Sequence, residues 1–259
     1  MKGHPMADPT ALDLLCARVP FHDADAPLRA LVLRQLADTE LHAALVTEPA
    51  GDRAELRMFD LPGGPVALAF DDAAALAGFL GGPVAHVSLP GRVLARELAE
   101  AGRGLLVNPG RPSEMLLDGA ALDWLCTALA ARPETGEAAP RRLTAPRADV
   151  LAVLAEPLAA RLADMAGMVA GIALVGTAGQ TGEGGHLIVV AGAADQDHAV
   201  IAKALAELIA FLPEIEGGVD VTFQPLALPP GAVRIEPMAP EPQPTAPSAG
   251  QGAPPRLRW

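Results

Sequence analysis

Two turn clusters, Pro49-Ala50-Gly51-Asp52 and Pro62-Gly63-Gly64-Pro65, cut the chain between Glu40 and Phe70 into three short apolar runs at residues 40–47, 55–59 and 66–70. None of these runs is long enough for a helix that stands alone. The prolines and glycines between them supply the fixed and positive φ values that tight reversals need. A meander of three short strands is therefore predicted, which places a sheet early in the chain.

What flanks the meander changes period. Asp8 followed by Pro9 reads as an N-cap with proline at the first helical position, and Leu12, Leu15, Cys16 and Val19 recur at helical spacing up to Pro20. Asp25 and Pro27 open a second helix carrying Leu28, Leu31, Val32 and Leu36. After Asp71 the pattern predicts a helix with Leu76, Phe79 and Leu80, a strand at 84–89 and a helix at 92–101 ending at Gly102. Strands at 105–107 and 114–117 and a helix at 120–130, with Leu122, Leu125, Cys126 and Leu129 as its stripe, complete the unit.

Residues 133–147 have no apolar period and carry three prolines, the pattern of a linker. Beyond it Leu151 and Leu154 begin a helix that meets Pro157 as a kink or restart and continues through Leu158, Leu162 and Met165. A hairpin at 171–177 and 186–191, a helix capped by Asp195 with Ile201, Leu205, Leu208 and Ile209 on one face, and a strand at 219–223 follow. Residues 229–259 are rich in Pro, Ala, Glu and Gln. Such a composition cannot bury enough apolar area to offset about 1–2 kcal/mol of backbone entropy per residue, so a disordered tail is expected. The fold class is α+β: two small domains with mixed sheets covered by helices, at 1–132 and 148–228.

The 51% hydrophobic content is mostly alanine and leucine and belongs to a globular chain. A formal net charge of −12 works against general nucleic-acid binding, which depends on clustered Lys and Arg. Cys16 and Cys126 lie far apart on apolar helix faces, in neither a disulfide nor a metal spacing. The first residues lack the apolar core of a leader, and the longest apolar stretch, 165–175, is too short and glycine-rich to span about 30 Å of hydrocarbon. A cytoplasmic chain without membrane or nucleic-acid partners is expected.

Several constellations carry a possible chemistry. Asn108 is the only asparagine, set in Gly104-Leu105-Leu106-Val107-Asn108-Pro109-Gly110. Asn108, Pro109 and Gly110 read either as a binding loop at a strand end or as turn chemistry, in which Pro fixes φ, Gly supplies positive φ and Asn bonds its own backbone. The glycine-rich 176–185 segment lacks the Gly-Lys-Ser/Thr ending, and a strand follows it, so a hairpin tip is expected instead of a phosphate loop. Asp195, Asp197 and His198, with Glu183 or His186, match no standard metal site. His86 and Ser88 share one side of a strand, but neighbours of that kind stand nearly parallel, which is a poor nucleophile–base geometry. Cys16 with His22 is equally weak, since buried thiols are inert. The C-terminal Arg256-Leu257-Arg258-Trp259 reads as a short docking motif on a tether or as a solvated end, with Arg258 and Trp259 as its contact residues. No catalytic residue, metal site or cofactor is assigned.

The early helix pair feeding a strand at 41–46, the strand–helix–strand passage through 70–87, and Gly104-Leu-Leu-Val-Asn-Pro-Gly110 ahead of the Trp124 helix together resemble the N-terminal domain of the SseB family, named for enhanced serine sensitivity. Residues 147–226 are similar to the smaller C-terminal domain that many members carry. The resemblance implies an α+β fold in a bacterial cytoplasmic protein and brings no catalytic residue with it. The expected role is a non-enzymatic interaction or regulatory module with an unidentified protein partner. A metabolite-binding or enzyme-accessory role linked to amino-acid (serine) metabolism is the alternative.

Overall fold

The computed structural model describes residues 8–49, 54–134, 136, 142–178 and 184–237. The chain divides into two units, Met1–Pro140 with Ala199–Val219, and Arg141–His198 with Asp220–Trp259.

The first unit runs α1 (Ala11–Cys16), a 3-10 turn (Phe21–Asp23), α2 (Ala26–Asp38), β1 (Glu40–Ala44), β2 (Met58–Leu61), β3 (Gly64–Phe70), α3 (Ala73–Phe79), β4 (His86–Pro90), α4 (Gly91–Glu100), β5 (Gly104–Val107), β6 (Met115–Leu117) and α5 (Gly119–Ala130). Helices α1, α2, α3 and α5 start where short polar side chains take up the orphan N–H groups of the first turn. Asp25 accepts from Leu28 N–H, Asp72 from Ala75 N–H and Asp118 from Ala121 N–H. For α1 the cap is Thr10, reciprocated by Asp13 in a capping box, and not Asp8 with Pro9 as the sequence reading had it. The Thr-x-x-Asp pair satisfies two donors where a lone Asp satisfies one.

The strands form one mixed sheet in the order β4-β1-β3-β5-β6, with β2 also on β3. Only β3 and β5 are parallel; the remaining pairs are antiparallel. Alternation along the strands sorts side chains to two faces. Leu41, Ala43, Ala67, Ala69, Leu105 and Val107 join α1, α2, α4 and α5 in the main core with Leu36, Leu94 and Leu122. Each such buried leucine contributes about 1.5–3 kcal/mol. The opposite face carries Ala44, Leu68, Phe70 and Leu106, and its helical cover is α3, seven residues long, through Leu76.

The second unit holds β7 (Arg142–Thr144), α6 (Ala148–Asp164), β8 (Gly171–Ala178), β9 (Gly184–Ala191), a 3-10 turn (Asp195–Asp197), the first residue of α7 (His198–Ala210), most of β10 (Val219–Thr222), and β11 (Val233–Ile235). β8 pairs antiparallel with β9 along its full length, and β7 and β11 share its other edge end to end. Ala173, Val175 and Val189 pack with Leu143, Leu228 and Ala232. Helix α6 buries Val150, Leu154, Leu158 and Leu162 and continues through Pro157 without a restart.

Four sequence expectations change here. Arg142–Thr144, read as linker, is a strand because Leu143 pairs opposite Thr177. Strand order runs past residue 228: Val233 and Ile235 meet Leu174 and Ile172 in register, so the tail composition does not begin at 229. Asp195 makes no side-chain cap; it opens a 3-10 turn, and α7 starts at His198. From Ala199 onward α7 counts with the first unit, where the Lys203 ammonium donates to Leu129 O at 2.5 Å and Ala131 O at 2.6 Å, the open C-terminal carbonyls of α5. The rest of the expected tail, residues 238–259, lies outside the described residues.

Candidate functional site

The Asn108 loop lies between β5 and β6, at the end of a strand in which Leu105 and Val107 are buried and Leu106 is half-buried. Asn108 has φ +49°, the only non-glycine positive φ among the described residues. Its short amide tolerates that left-handed conformation, which costs other side chains roughly 1–2 kcal/mol. Gly110 follows at φ +80°. Asn108 is 0% exposed. Its Oδ1 accepts from Asp71 N–H at 3.1 Å and its Nδ2 donates to Ser113 Oγ at 2.8 Å. The side chain thus ties the loop to the β3–α3 corner and to its own far end.

Ser113 Oγ in turn donates to Asp13 Oδ1 at 2.6 Å, and Ser113 N–H to the same oxygen at 3.3 Å. Arg111 closes the set with Nε donating to Asp13 Oδ2 at 3.0 Å, a second contact from Nη2, and a bond to Asp8 O at 3.3 Å. The Gly110 N–H donates to Glu114 Oε2 at 2.6 Å. Burial alone would raise the Asp13 pKa, but hydrogen bonds from Arg111, Ser113 and Thr10 outweigh it and hold the carboxyl below its ordinary value. Asp71, whose backbone N–H serves Asn108, has both carboxylate oxygens buried without a hydrogen bond among the described residues, and its charge acts on Arg111.

Asn108 therefore has both of its side-chain groups engaged inside the protein, Pro109 is half-buried and Gly110 exposed. Sequence reasoning isolated Asn108 but missed Asp13, Ser113 and Arg111. The Thr10-x-x-Asp13 spacing was the available signal for Asp13. Replacing Asn108 separates the two demands on it. Asn108→Gly keeps the backbone free at positive φ but orphans the Asp71 N–H and removes the donor to Ser113 Oγ, at a cost of about 1–3 kcal/mol. Asn108→Ala should cost roughly 1 kcal/mol more, because it adds the left-handed strain. Urea denaturation of the two variants checks the ordering.

The other constellations resolve separately. His86 and Ser88 do project from the same side of β4, but the partner of Ser88 is His42 of β1, directly across the strands, with His42 Nδ1 and Ser88 Oγ 2.8 Å apart. The 176–185 segment flanks the β8–β9 hairpin, and residues 179–183, including Glu183, lie outside the described residues. His198 stacks on Phe223 with ring centres 4.0 Å apart and approaches Asp195 at 3.7 Å, while His186 is buried within its sheet. Burial, followed by Arg147, lowers the His186 pKa, and its Nε2 accepts from Arg147 N–H at 3.4 Å. Among the described residues no group of three or more His, Cys, Asp or Glu is arranged to hold a metal. Cys16 is buried, and burial pushes its thiol up, away from the reactive thiolate. Arg258 and Trp259 lie outside the described residues.

A family model, SseB protein N-terminal domain, matches residues 21–124, from the 3-10 turn before α2 to Trp124 in α5. Residues 21–124 are thus similar to an SseB N-terminal domain. The match includes the whole Asn108 loop and every strand of the first sheet, and it leaves out Asp13, to which that loop is bonded, and its capping partner Thr10. It does not extend to the second unit. No curated protein and no solved structure matches the chain. No helix among the described residues is long and apolar enough to cross a membrane.

Proposed function

We propose that this protein is a cytoplasmic, non-enzymatic interaction module that docks a protein partner on the half-covered face of its N-terminal sheet. One observation carries the reading: the face roofed by the short α3 leaves large apolar side chains in solvent. Leu116 pairs across the strands with Leu106 of that face and is 42% exposed, and Phe79 of α3, packed on Phe70, is 53% exposed. Apolar groups grouped on one face mark an association surface more often than scattered ones do. The Asn108 loop serves the fold in this reading, because its polar atoms are engaged internally. Two concavities of the first unit measure about 90 and 260 Å³. Small-molecule sites usually enclose about 300–1,000 Å³.

The test compares Leu116→Asp and Phe79→Asp with Trp124→Ala, a half-exposed aromatic on α5 that packs on Phe211. Cross-linking in native extract should capture the same defined partner with wild type and Trp124→Ala. Either aspartate variant should reduce that capture at least about tenfold, equivalent to about 1.4 kcal/mol. Undiminished capture by both aspartate variants would refute the reading. So would a thermal-shift screen in which one metabolite stabilises the protein by about 2.7 kcal/mol at a hundred times its Kd.

A further inference from the structure

We infer that His42 and His86 form a two-imidazole site for a divalent transition-metal ion on the outer face of the β1–β4 pair. The two residues are diagonal neighbours across the antiparallel strands, since His42 stands opposite Ser88 and His86 opposite Ala44. Their ring centres are 5.4 Å apart and their planes 83° apart. Two imidazoles on one tetrahedral ion, each at a metal–nitrogen distance of about 2.0–2.1 Å, have centres roughly 5 Å apart. The observed ring spacing is close to that value.

The second nitrogen of each ring is already committed in the way a ligating histidine requires. His86 Nδ1 lies 3.2 Å from Val84 O, an oxygen that only accepts, so Nδ1 carries the proton and Nε2 keeps its lone pair. His42 Nδ1 shares its 2.8 Å hydrogen bond with Ser88 Oγ, a hydroxyl able to accept from Nδ1–H and so release the His42 Nε2 lone pair as well. Ligating histidines ordinarily donate their other ring N–H to such an oxygen, which fixes both tautomer and ring orientation. Ser88 and His86 are exposed and His42 is half-buried, so an ion can reach the pair and water can fill the remaining positions. Imidazole ligands select zinc, nickel and copper over magnesium or calcium.

The site concerns the metal chemistry of the sheet face and does not depend on the partner reading. Isothermal titration of ZnCl2 and NiCl2 into the full chain, with MgCl2 as the contrast, tests it. One zinc or nickel site per chain is expected, with no magnesium binding. His42→Ala and His86→Ala should each weaken it at least about 100-fold, and Ser88→Ala about 10-fold, the usual effect of losing an outer partner. His86 and Ser88 are exposed and His42 is half-buried, and unchanged melting curves would confirm that the variants fold. Absence of zinc and nickel binding, or binding that survives the His42→Ala/His86→Ala double variant, overturns the assignment.

Discussion

Asp13→Asn is expected to destabilise the N-terminal unit by about 3–5 kcal/mol, the usual consequence of removing one partner from a buried charge pair. Asp13 is 2% exposed, and it receives bonds from Thr10, Ser113 and Arg111. The amide cannot accept on both sides, so the Arg111 guanidinium loses its counter-charge in a half-buried setting while one donor of the Ser113 or Thr10 pair is stranded. The loss carries a pH signature. Because the folded pKa of Asp13 is depressed, its contribution is fully present above the ordinary carboxylate value and disappears as pH falls through the lowered one. Urea denaturation followed by Trp124 fluorescence should show a large gap between wild type and Asp13→Asn at neutral pH, narrowing in strong acid. A gap below about 1 kcal/mol at neutral pH, the level of an exposed ion pair, would show that the network is dispensable.

Gly91→Ala is the second large effect, and it comes from backbone proximity. A Cβ at Gly91 would stand 2.0 Å from Leu36 O and 2.9 Å from Leu36 C, both main-chain atoms of α2. The Gly91 N–H donates to Thr39 O at 2.8 Å, so the start of α4 is pinned against the end of α2 and cannot slide away without breaking that bond. Overpacking ordinarily costs about 1–3 kcal/mol, and a rigid obstacle puts this site at or above the top of that range. Gly78 of α3 supplies the control, since nothing lies within 4 Å of a Cβ there and its φ is not positive. Gly78→Ala should stabilise by roughly 0.5–1 kcal/mol through helix propensity. Thermal melts that moved the same way for both variants would defeat the argument.

The elements readable in the sequence were those whose signal is local. The Asp25 cap acts within one turn, and the apolar stripes of α2 and α5 repeat within the helix itself. What escaped depends on residues far apart in the chain. Arg142–Thr144 and Val233–Ile235 are three-residue strands whose only reason to be strands is β8, so neither shows a period of its own. The stripe of α7 disclosed which side it buries but not which unit it counts with. The site divides along the same line. Asn108 stood out by its position in a Pro-Gly turn, whereas Asp13 reaches it through Ser113 across 100 positions of sequence. His42 became relevant to Ser88 only through the register of β1 on β4, which a one-residue slip would reverse.

The seat of Lys203 has a practical corollary. The chain contains two lysines, Lys2 and Lys203. With its ammonium donating to two carbonyls and facing Glu207 at 3.0 Å, Lys203 must give up these contacts before its amine can be acylated. Its rate of modification by an amine-reactive reagent thus reports how often those contacts open, read at one position by peptide mass.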